Sequence, residues 1–348
     1  MKRTISLKGI SEHRRAFMGI AIVFIMLCHN TLLVPNGLAK VHNVSSVMLQ
    51  CGVDIFMLLS GLGLFYSFRK NSKISTFWKK RYKKILIPYI IVVVIYGIVC
   101  VGVLRNETLL QYVWKYSLIS FFWEGKLTIW FVAAILMLYT VFPCLYALLQ
   151  KSSRIFALLT AVVAAVCVVL SYLPCPGTIE RINVIFVSRV PAFLVGMIIA
   201  KSILDAQNVK VPTALVWLVL GISAALIIWY LILADRTPWV IVRLLFLPFT
   251  LSGMLLLGKA MKNNRKNGFL YRGFSFLGGI TLEIYLLHER VLAITDLFVY
   301  KFSVSHVVMS FILNVLAVLV SVAGAWGLQK VIKVASGKVK CNLCKAKH

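Results

Sequence analysis

Hydrophobic residues fall into ten long runs along the chain, and short polar segments separate the runs. Each run is continuous and close to the roughly 20 residues with which an α-helix crosses a bilayer. A transmembrane β-barrel would instead show short segments of alternating hydrophobicity. The pattern therefore predicts an all-α integral membrane protein, a bundle of about ten transmembrane helices. The expected spans lie near 17–35, 47–68, 85–104, 127–149, 155–173, 184–200, 212–233, 239–258, 274–299 and 307–328.

The composition agrees with this class. Of the 348 residues, 61% are hydrophobic and 14% are charged, whereas a soluble domain has about 25% charged residues. We expect one transmembrane domain over residues 1–348, with residues 329–348 forming a basic cytoplasmic tail. The first apolar run is long enough to span and lacks a small-residue cleavage site, so no cleavable signal peptide is predicted.

The net charge of +28 is distributed unevenly. With ten spans, 28 of the 38 basic residues fall on the side that carries both termini. Because positive residues concentrate in cytoplasmic segments, both termini are predicted to be cytoplasmic. The charge therefore indicates topology and contact with an anionic lipid bilayer, and no nucleic-acid partner is expected.

Two ionisable residues stand out in the first two spans. His29 lies deep in span 1, where an ionisable group is costly and indicates function by default; a hydrogen bond to a neighbouring helix is the alternative. Asp54 in span 2 needs a His or Arg partner and serves either structure or catalysis. Arg15 is 14 residues before His29 and only about 40° away around the helix. It either shares a functional face with His29 or anchors the helix at the membrane surface.

Span 9 contains four ionisable groups within eight residues, from Glu283 to Arg290. Such a helix must face other protein or a cavity, because these groups are costly to expose to lipid. His288 is predicted to lie at the same depth as His29, and Tyr285 is about 60° from His288 around the helix.

Residues in other spans indicate a functional role less strongly. Arg189 in span 6 either has a function or extends to the membrane surface. Ser60-Gly61-x-Gly63 in span 2 allows close helix packing or close approach of a ligand. Trp130 belongs to an aromatic stretch typical of membrane interfaces, and residues 109–124 are apolar enough for a half-buried segment but short for a span.

A basic loop is expected over residues 69–84, running into span 3 as an amphipathic segment. Arg81 and Lys84 are three residues apart and would share a helical face. Such a pair suits a phosphate-bearing ligand at the cytoplasmic surface, or lipid headgroups. The motif Cys341-x-x-Cys344 with His348 matches a zinc site only weakly, so no metal site is predicted.

Taken together and in order, these stretches resemble the acyltransferase-3 family, bacterial membrane O-acyltransferases that acylate cell-surface glycans and other acceptors. The resemblance covers residues 14–290. It is carried by Gly19-Ile-Ala-x7-His29, Val53-Asp-x-Phe56-x3-Ser60-Gly61, Lys80-Arg81-x2-Lys84-Ile-x2-Pro88, Ile129-Trp-Phe131, Arg189-x-Pro-x-Phe193-x2-Gly196 and Leu282-Glu-Ile-Tyr-Leu-Leu-His288. Enzymes of this family usually have a basic residue where this chain has Met18, and Arg15 is one turn earlier on nearly the same face.

The resemblance implies an O-acetyltransferase of the bacterial cytoplasmic membrane. Its donor is acetyl-CoA or another acyl-CoA from the cytoplasm, its acceptor is a glycan or lipid-linked glycan, and no bound cofactor is expected. His29 is the expected general base because imidazole titrates near neutral pH, and Asp54 is a candidate to orient it. The remaining expected site residues are Glu283 and His288 for catalysis, Arg15, Arg81 and Lys84 for acyl-CoA phosphates, and Ser60, Trp130, Arg189 and Tyr285 along the substrate path.

The sequence is compatible with more than one mechanism and more than one function. His29 activates the acceptor directly, or an acylated residue carries the group across the membrane. A transporter or flippase of a lipid-linked glycan would use the same buried charges, but the inverted repeats typical of transporters are not found. A receptor or structural subunit would not need a deep His with intramembrane carboxylates. The sequence leaves open the acyl group, the modified hydroxyl and the oligomeric state.

Overall fold

The computed structural model describes residues 4–29, 39–174, 176–205, 209–233, 238–263, 268–301, 307–335 and 337. These residues are almost entirely helical. In chain order the α-helices are α1 Lys8–Glu12, α2 Arg14–His29, α3 Ala39–Leu49, α4 Cys51–Lys70, α5 Ile74–Gly97, α6 Leu109–Lys115, α7 Leu118–Glu124, α8 Trp130–Lys151, α9 Ser153–Tyr172, α10 Gly177–Ile185, α11 Val190–Asp205, α12 Thr213–Leu233, α13 Trp239–Asn263, α14 Phe269–Leu277, α15 Thr281–Lys301 and α16 Val307–Ala335.

The predicted membrane class is confirmed. Within the described residues, eight helical segments are long and apolar enough to cross a bilayer. The other two predicted spans correspond to α2, which has 16 residues before the described range ends at His29, and to α15, which carries the charged groups of span 9. The total of ten spans and the cytoplasmic side of the termini stay predictions.

Some local structure differs from the sequence-based expectation. The expected loop over 69–84 is mostly helical, because only residues 71–73 separate α4 from α5. The segment 109–124 forms α6 and α7, each of seven residues. Predicted span 6 is interrupted by a 3-10 turn, Val187–Arg189, between α10 and α11. The tail expected from residue 329 begins as a continuation of α16, and the described helix ends at Ala335.

One small sheet was not predicted. Strand β1 (Thr4–Ser6) pairs antiparallel with β2 (Lys210–Pro212), and Ile5 lies opposite Val211. Three-residue strands are too short to produce a periodic pattern in the sequence. The pairing fastens the N-terminal segment beside the start of α12.

The centre of the bundle is the contact between α4 and α11, the most extensive helix pair in the described residues. Gly61 of α4 faces the carbonyl oxygen of Phe193, and Gly196 of α11 faces that of Leu58, so close that a Cβ on either glycine would overlap the facing backbone. Small residues allow helix backbones to approach in this way. The packing role expected for Gly61 is confirmed.

Two ends of the bundle matter for function, and α2 connects them. We call the end that contains Arg14 the basic end and the end that contains His29 the histidine end. The two residues are 15 positions apart in one continuous helix, which corresponds to about 22 Å at 1.5 Å per residue.

Candidate functional site

The two histidines predicted to lie at one depth are adjacent in the structure. The rings of His29 and His288 have centroids 5.3 Å apart in an edge-to-face arrangement. His29, at the last described position of α2, keeps 45% of its side chain exposed, whereas His288 is only 1% exposed. Two helices from opposite ends of the chain thus bring one accessible and one buried imidazole together.

Hydrogen bonding to the backbone determines how His288 can act. Its Nδ1 lies 2.8 Å from the carbonyl oxygen of Tyr285 and 3.2 Å from that of Ile284. Because a carbonyl oxygen only accepts, Nδ1 carries the proton and, in the neutral ring, Nε2 keeps its lone pair. Among the described residues Nε2 has no hydrogen-bond partner although it is buried. His288 therefore presents an available acceptor beside His29.

A carboxylate completes the cluster. Glu289 Oε1 lies 3.7 Å from His29 Nε2, a separation typical of an ion pair and longer than a hydrogen bond. Its other oxygen lies 3.0 Å from Arg290, which also donates to the carbonyl oxygen of Thr128 over 2.9 Å. Arg290 thereby links the cluster to the segment before α8. We refer to His29, His288, Glu289 and Arg290 as the histidine cluster.

Tyr285, predicted to lie along the substrate path, forms one wall of this cluster. Its ring packs against His288 with centroids 5.7 Å apart and against Phe131 with centroids 5.0 Å apart. The side chain is 6% exposed. Tyr285 therefore helps to hold the His288 ring in position.

Ligand atoms of His29, His288 and Glu289 lie within 4.8 Å of one another, which is compatible with a divalent cation bound by two imidazoles and a carboxylate. The guanidinium of Arg290 is in contact with the same carboxylate. Its positive charge reduces the attraction of the carboxylate for a cation. The electrostatics therefore favour acid–base chemistry over metal binding in this cluster.

Asp54 occupies a different position from the one that catalysis by His29 would require. Its Oδ2 lies 3.7 Å from Nε of Arg189, and the two side chains are 1% and 2% exposed. Arg189 also donates to the carbonyl oxygen of Ile185 and lies 5.3 Å above the ring of Trp130. The carboxylate in contact with His29 is that of Glu289, so the expected orienting role of Asp54 is not supported. Asp54, Arg189 and Trp130 instead connect three helical segments.

The basic end contains a second cluster, formed by Arg14, Arg81 and Lys84. Charge interactions connect Arg14 with Arg81 and both arginines with Lys84. Arg14 donates through Nε to the carbonyl oxygen of Leu59 over 3.1 Å. Its guanidinium lies against Gly63, where a Cβ would overlap it. Like charges gathered in this way suit an anionic ligand.

Local structure positions Arg81 and Lys84 on the first half of α5. Arg81 is half-buried and lies 5.8 Å from the ring centroid of Phe77, and its Nε has no hydrogen-bond partner among the described residues. Pro88 lies inside α5, and since proline lacks an N–H, the carbonyl group of Lys84 loses its helical donor. The Nε of Arg81 and the carbonyl oxygen of Lys84 are therefore both available for hydrogen bonds at the basic end.

Three other predicted residues are placed as follows. Arg15 is exposed and lies over Gly279, in the turn between α14 and α15, so Arg14 takes the place in the basic cluster that was expected for Arg15. Glu283 interacts with Gln329, Lys84 and Lys333 and therefore belongs to the basic end. Ser60 is half-buried on α4, next to the Gly61 crossing.

Sequence reasoning did not assign Glu289, Arg290 or Arg14 to a site. The density of charge in span 9 was the available signal for Glu289 and Arg290. No pattern in the sequence distinguishes Arg14 from Arg15.

A family model described as an acyltransferase domain, that of the acyltransferase-3 family, matches residues 18–330. The chain belongs to the acyltransferase-3 family. The comparisons with curated proteins and with solved structures gave no match.

Family membership makes this protein a membrane acyltransferase. The range matched by the acyltransferase-3 model includes the whole histidine cluster together with Arg81 and Lys84. It begins four residues after Arg14. The structure, and not the family match, therefore associates this arginine with the site.

Proposed function

We propose that this acyltransferase moves an acyl group, most simply acetyl, from cytoplasmic acyl-CoA to a hydroxyl of a cell-surface glycan or its lipid-linked precursor. The observation that carries the proposal is the pairing of His29 with His288 and Glu289 at one end of α2, while Arg14 at the other end joins Arg81 and Lys84. A phosphate-bearing donor is bound at the basic end, and the chemistry takes place at the histidine end.

The donor interacts first with the basic cluster. Acyl-CoA carries several phosphates, which bind arginine and lysine by charge-assisted hydrogen bonds. Arg14 supplies a planar, bidentate donor set and Lys84 a compact point charge. The length of α2 between the clusters is about 22 Å, and the acyl end of the donor extends over this distance toward His29.

The reaction then needs a base for the hydroxyl proton and a group that stabilises the positive charge that the base acquires. His29 removes the proton from the acceptor hydroxyl as the oxygen attacks the thioester carbonyl carbon. The C–S bond breaks, the acyl ester forms, and the CoA thiolate leaves and takes the proton from the imidazolium. Glu289, 3.7 Å from His29 Nε2, stabilises the imidazolium while it carries that proton.

His288 has a separate task in this scheme. Its Nε2, which has no hydrogen-bond partner among the described residues, accepts a hydrogen bond from the acceptor glycan, because its Nδ1 proton is held by the Tyr285 carbonyl group. This hydrogen bond comes from a second hydroxyl of the glycan, so the reacting hydroxyl keeps its own proton for His29. This is direct transfer, without an acyl-enzyme intermediate.

The test uses a strain that lacks this protein, complemented with wild type, His29→Ala or Arg14→Gln. Acyl ester on surface glycans is measured by NMR, and protein in the membrane is measured by immunoblot. Ester that is restored by wild type and not by His29→Ala supports the proposal. Ester that is the same in all strains, including the deletion, overturns the proposed transfer to a surface glycan.

A further inference from the structure

A groove of about 480 Å³ opens at the histidine end, outside the histidine cluster. It lies between α6 with the residues just before it, the turn before α8, and helix α10. Its charged and polar lining residues are Glu107, Gln111, Lys115, Lys126, Thr128 and Arg181.

The groove is connected to the histidine cluster by one side chain. Arg290 contacts Glu289 over 3.0 Å and donates to the backbone oxygen of Thr128 over 2.9 Å. Thr128 is part of the groove wall, so a single guanidinium separates the groove from the carboxylate beside His29. A ligand in the groove is therefore next to the proposed site of transfer.

The two lysines of the groove form ion pairs, whereas its arginine forms none with the described residues. Lys115 is 2.5 Å from Glu107, and Lys126 is 2.7 Å from Glu124. The structure gives Arg181, which is exposed, no ion pair with any described residue. Arg181 therefore presents a free planar guanidinium, which matches a carboxylate or phosphate group.

Hydrogen-bond acceptors are available in the same groove. Glu107 uses Oε1 for Lys115, and its Oε2 is buried with no hydrogen-bond partner among the described residues. A carboxylate oxygen accepts hydrogen bonds from hydroxyl groups. The groove thus offers a free acceptor for a sugar hydroxyl and a free cation for an acidic group.

The backbone makes room for Arg181. Gly125 ends α7 with φ +66°, the left-handed region that glycine adopts without strain. A Cβ at this position would lie 3.2 Å from Cδ of Arg181. The turn therefore places the arginine stem directly against its backbone.

We infer that this groove binds the acceptor and selects an anionic glycan, with the acidic group on Arg181 and a sugar hydroxyl on Glu107. The inference rests on the proposed function, because the ligand of the groove is the acceptor of that reaction. The acidic group is a carboxylate of the sugar or the phosphate of a lipid carrier, since both match a guanidinium.

The experiment uses membranes that contain the full-length protein, acetyl-CoA labelled in the acetyl group, and glycan extracted from the deletion strain as titrated acceptor. Arg181→Gln is compared with wild type, with Arg181→Lys and with Arg105→Gln. Arg105 is an exposed arginine near the same segment and is not part of the groove lining, so it is the matched control.

We expect Arg181→Gln to raise the apparent KM for the glycan about tenfold or more, the order expected for a lost hydrogen bond to a charged group. The KM for acetyl-CoA stays unchanged, and Arg105→Gln behaves as wild type. Arg181→Lys gives a smaller increase, because lysine keeps the charge and loses the bidentate geometry.

The labelled product is expected to be retained by an anion exchanger. If retention ends after mild acid removes the lipid carrier, the acidic group is the phosphate, and otherwise it belongs to the sugar.

The experiment distinguishes a failure of the proposed function from a failure of the groove inference. No label on glycan with the wild-type protein contradicts the proposed function itself. The groove inference is overturned if the wild-type protein labels the glycan but Arg181→Gln and Arg105→Gln have the same KM for the acceptor. The proposed function then stays in place. A labelled product that is neutral before acid treatment overturns it as well.

Discussion

His29 at the end of α2 and Glu289 in α15 place an imidazole nitrogen and a carboxylate oxygen 3.7 Å apart. The two residues come from opposite ends of the chain. Their pairing brings together a group that accepts a proton and a charge that stabilises the protonated form.

Removal of the base is expected to cost more than removal of its partner. His29→Gln lowers kcat by about 10²- to 10⁴-fold, the usual contribution of a positioned general base. Glu289→Gln gives a smaller loss, because it removes only the stabilisation of the imidazolium. Initial rates of acyl transfer with saturating acyl-CoA measure both. Glu180→Gln, an exposed carboxylate on α10, is the matched control, and an effect of Glu180→Gln as large as that of Glu289→Gln would contradict the assignment.

Arg14 and Arg15 are predicted to differ although they are adjacent. Arg14→Gln raises the KM for acyl-CoA about 10- to 100-fold, since hydrogen bonds to charged groups contribute about 1.5–3 kcal/mol. Arg15→Gln has a much smaller effect, because its side chain is exposed over Gly279. Gly63→Ala reproduces the Arg14 effect by displacing the guanidinium. Titration of acyl-CoA in membranes tests this, and equal KM values for Arg14→Gln and Arg15→Gln would refute it.

The buried pair of Asp54 and Arg189 is predicted to support stability. Asp54→Ala leaves an uncompensated arginine in the bundle, and breaking a buried ion pair in this way costs about 3–5 kcal/mol. Thermal unfolding of the detergent-purified protein is expected to shift to lower temperature. Asp54→Leu combined with Arg189→Met recovers part of the loss, because both charges are then absent. If Asp54→Ala unfolds at the wild-type temperature and abolishes acyl transfer, Asp54 acts in catalysis instead.

The crossing of α4 and α11 is predicted to tolerate no side chain at Gly61. Gly61→Leu places carbon atoms on the carbonyl group of Phe193, so the helices separate and the yield of folded protein falls. Gly221→Leu on α12 is the control, since a Cβ there meets nothing within 4 Å. Size-exclusion profiles in detergent report the folded fraction, and similar profiles for the two variants would contradict the close packing.

Acyl transfer is expected to continue in the presence of a chelator. Arg290 lies 3.0 Å from the carboxylate of Glu289, and its charge opposes binding of a second cation in the histidine cluster. Rates measured before and after dialysis against EDTA, together with metal content by mass spectrometry, provide the test. Loss of activity that Zn²⁺ restores at one equivalent would show that the cluster is a metal centre.

Several features followed from the sequence alone. Long apolar runs must satisfy their backbone polar groups as helices in a bilayer, so the membrane class and the approximate positions of the eight long apolar helices could be predicted. Motifs in fixed order indicated the family, which the match over residues 18–330 confirms. The two histidines lie next to each other, as their predicted depths indicated, although α15 begins at Thr281 and not at residue 274 where the predicted span began.

The partners of these residues required the tertiary structure. Helix periodicity gives the depth and face of a side chain but not which helix lies opposite, so Asp54 could not be assigned to Arg189 rather than to His29. The distinction between Arg14 and Arg15 depends on Gly63 and Leu59 of a neighbouring helix. The groove around Arg181 is formed by three separate segments whose individual sequences carry no motif. Contacts between distant segments are determined by how the helices pack, and that packing is what brings Glu289 to His29.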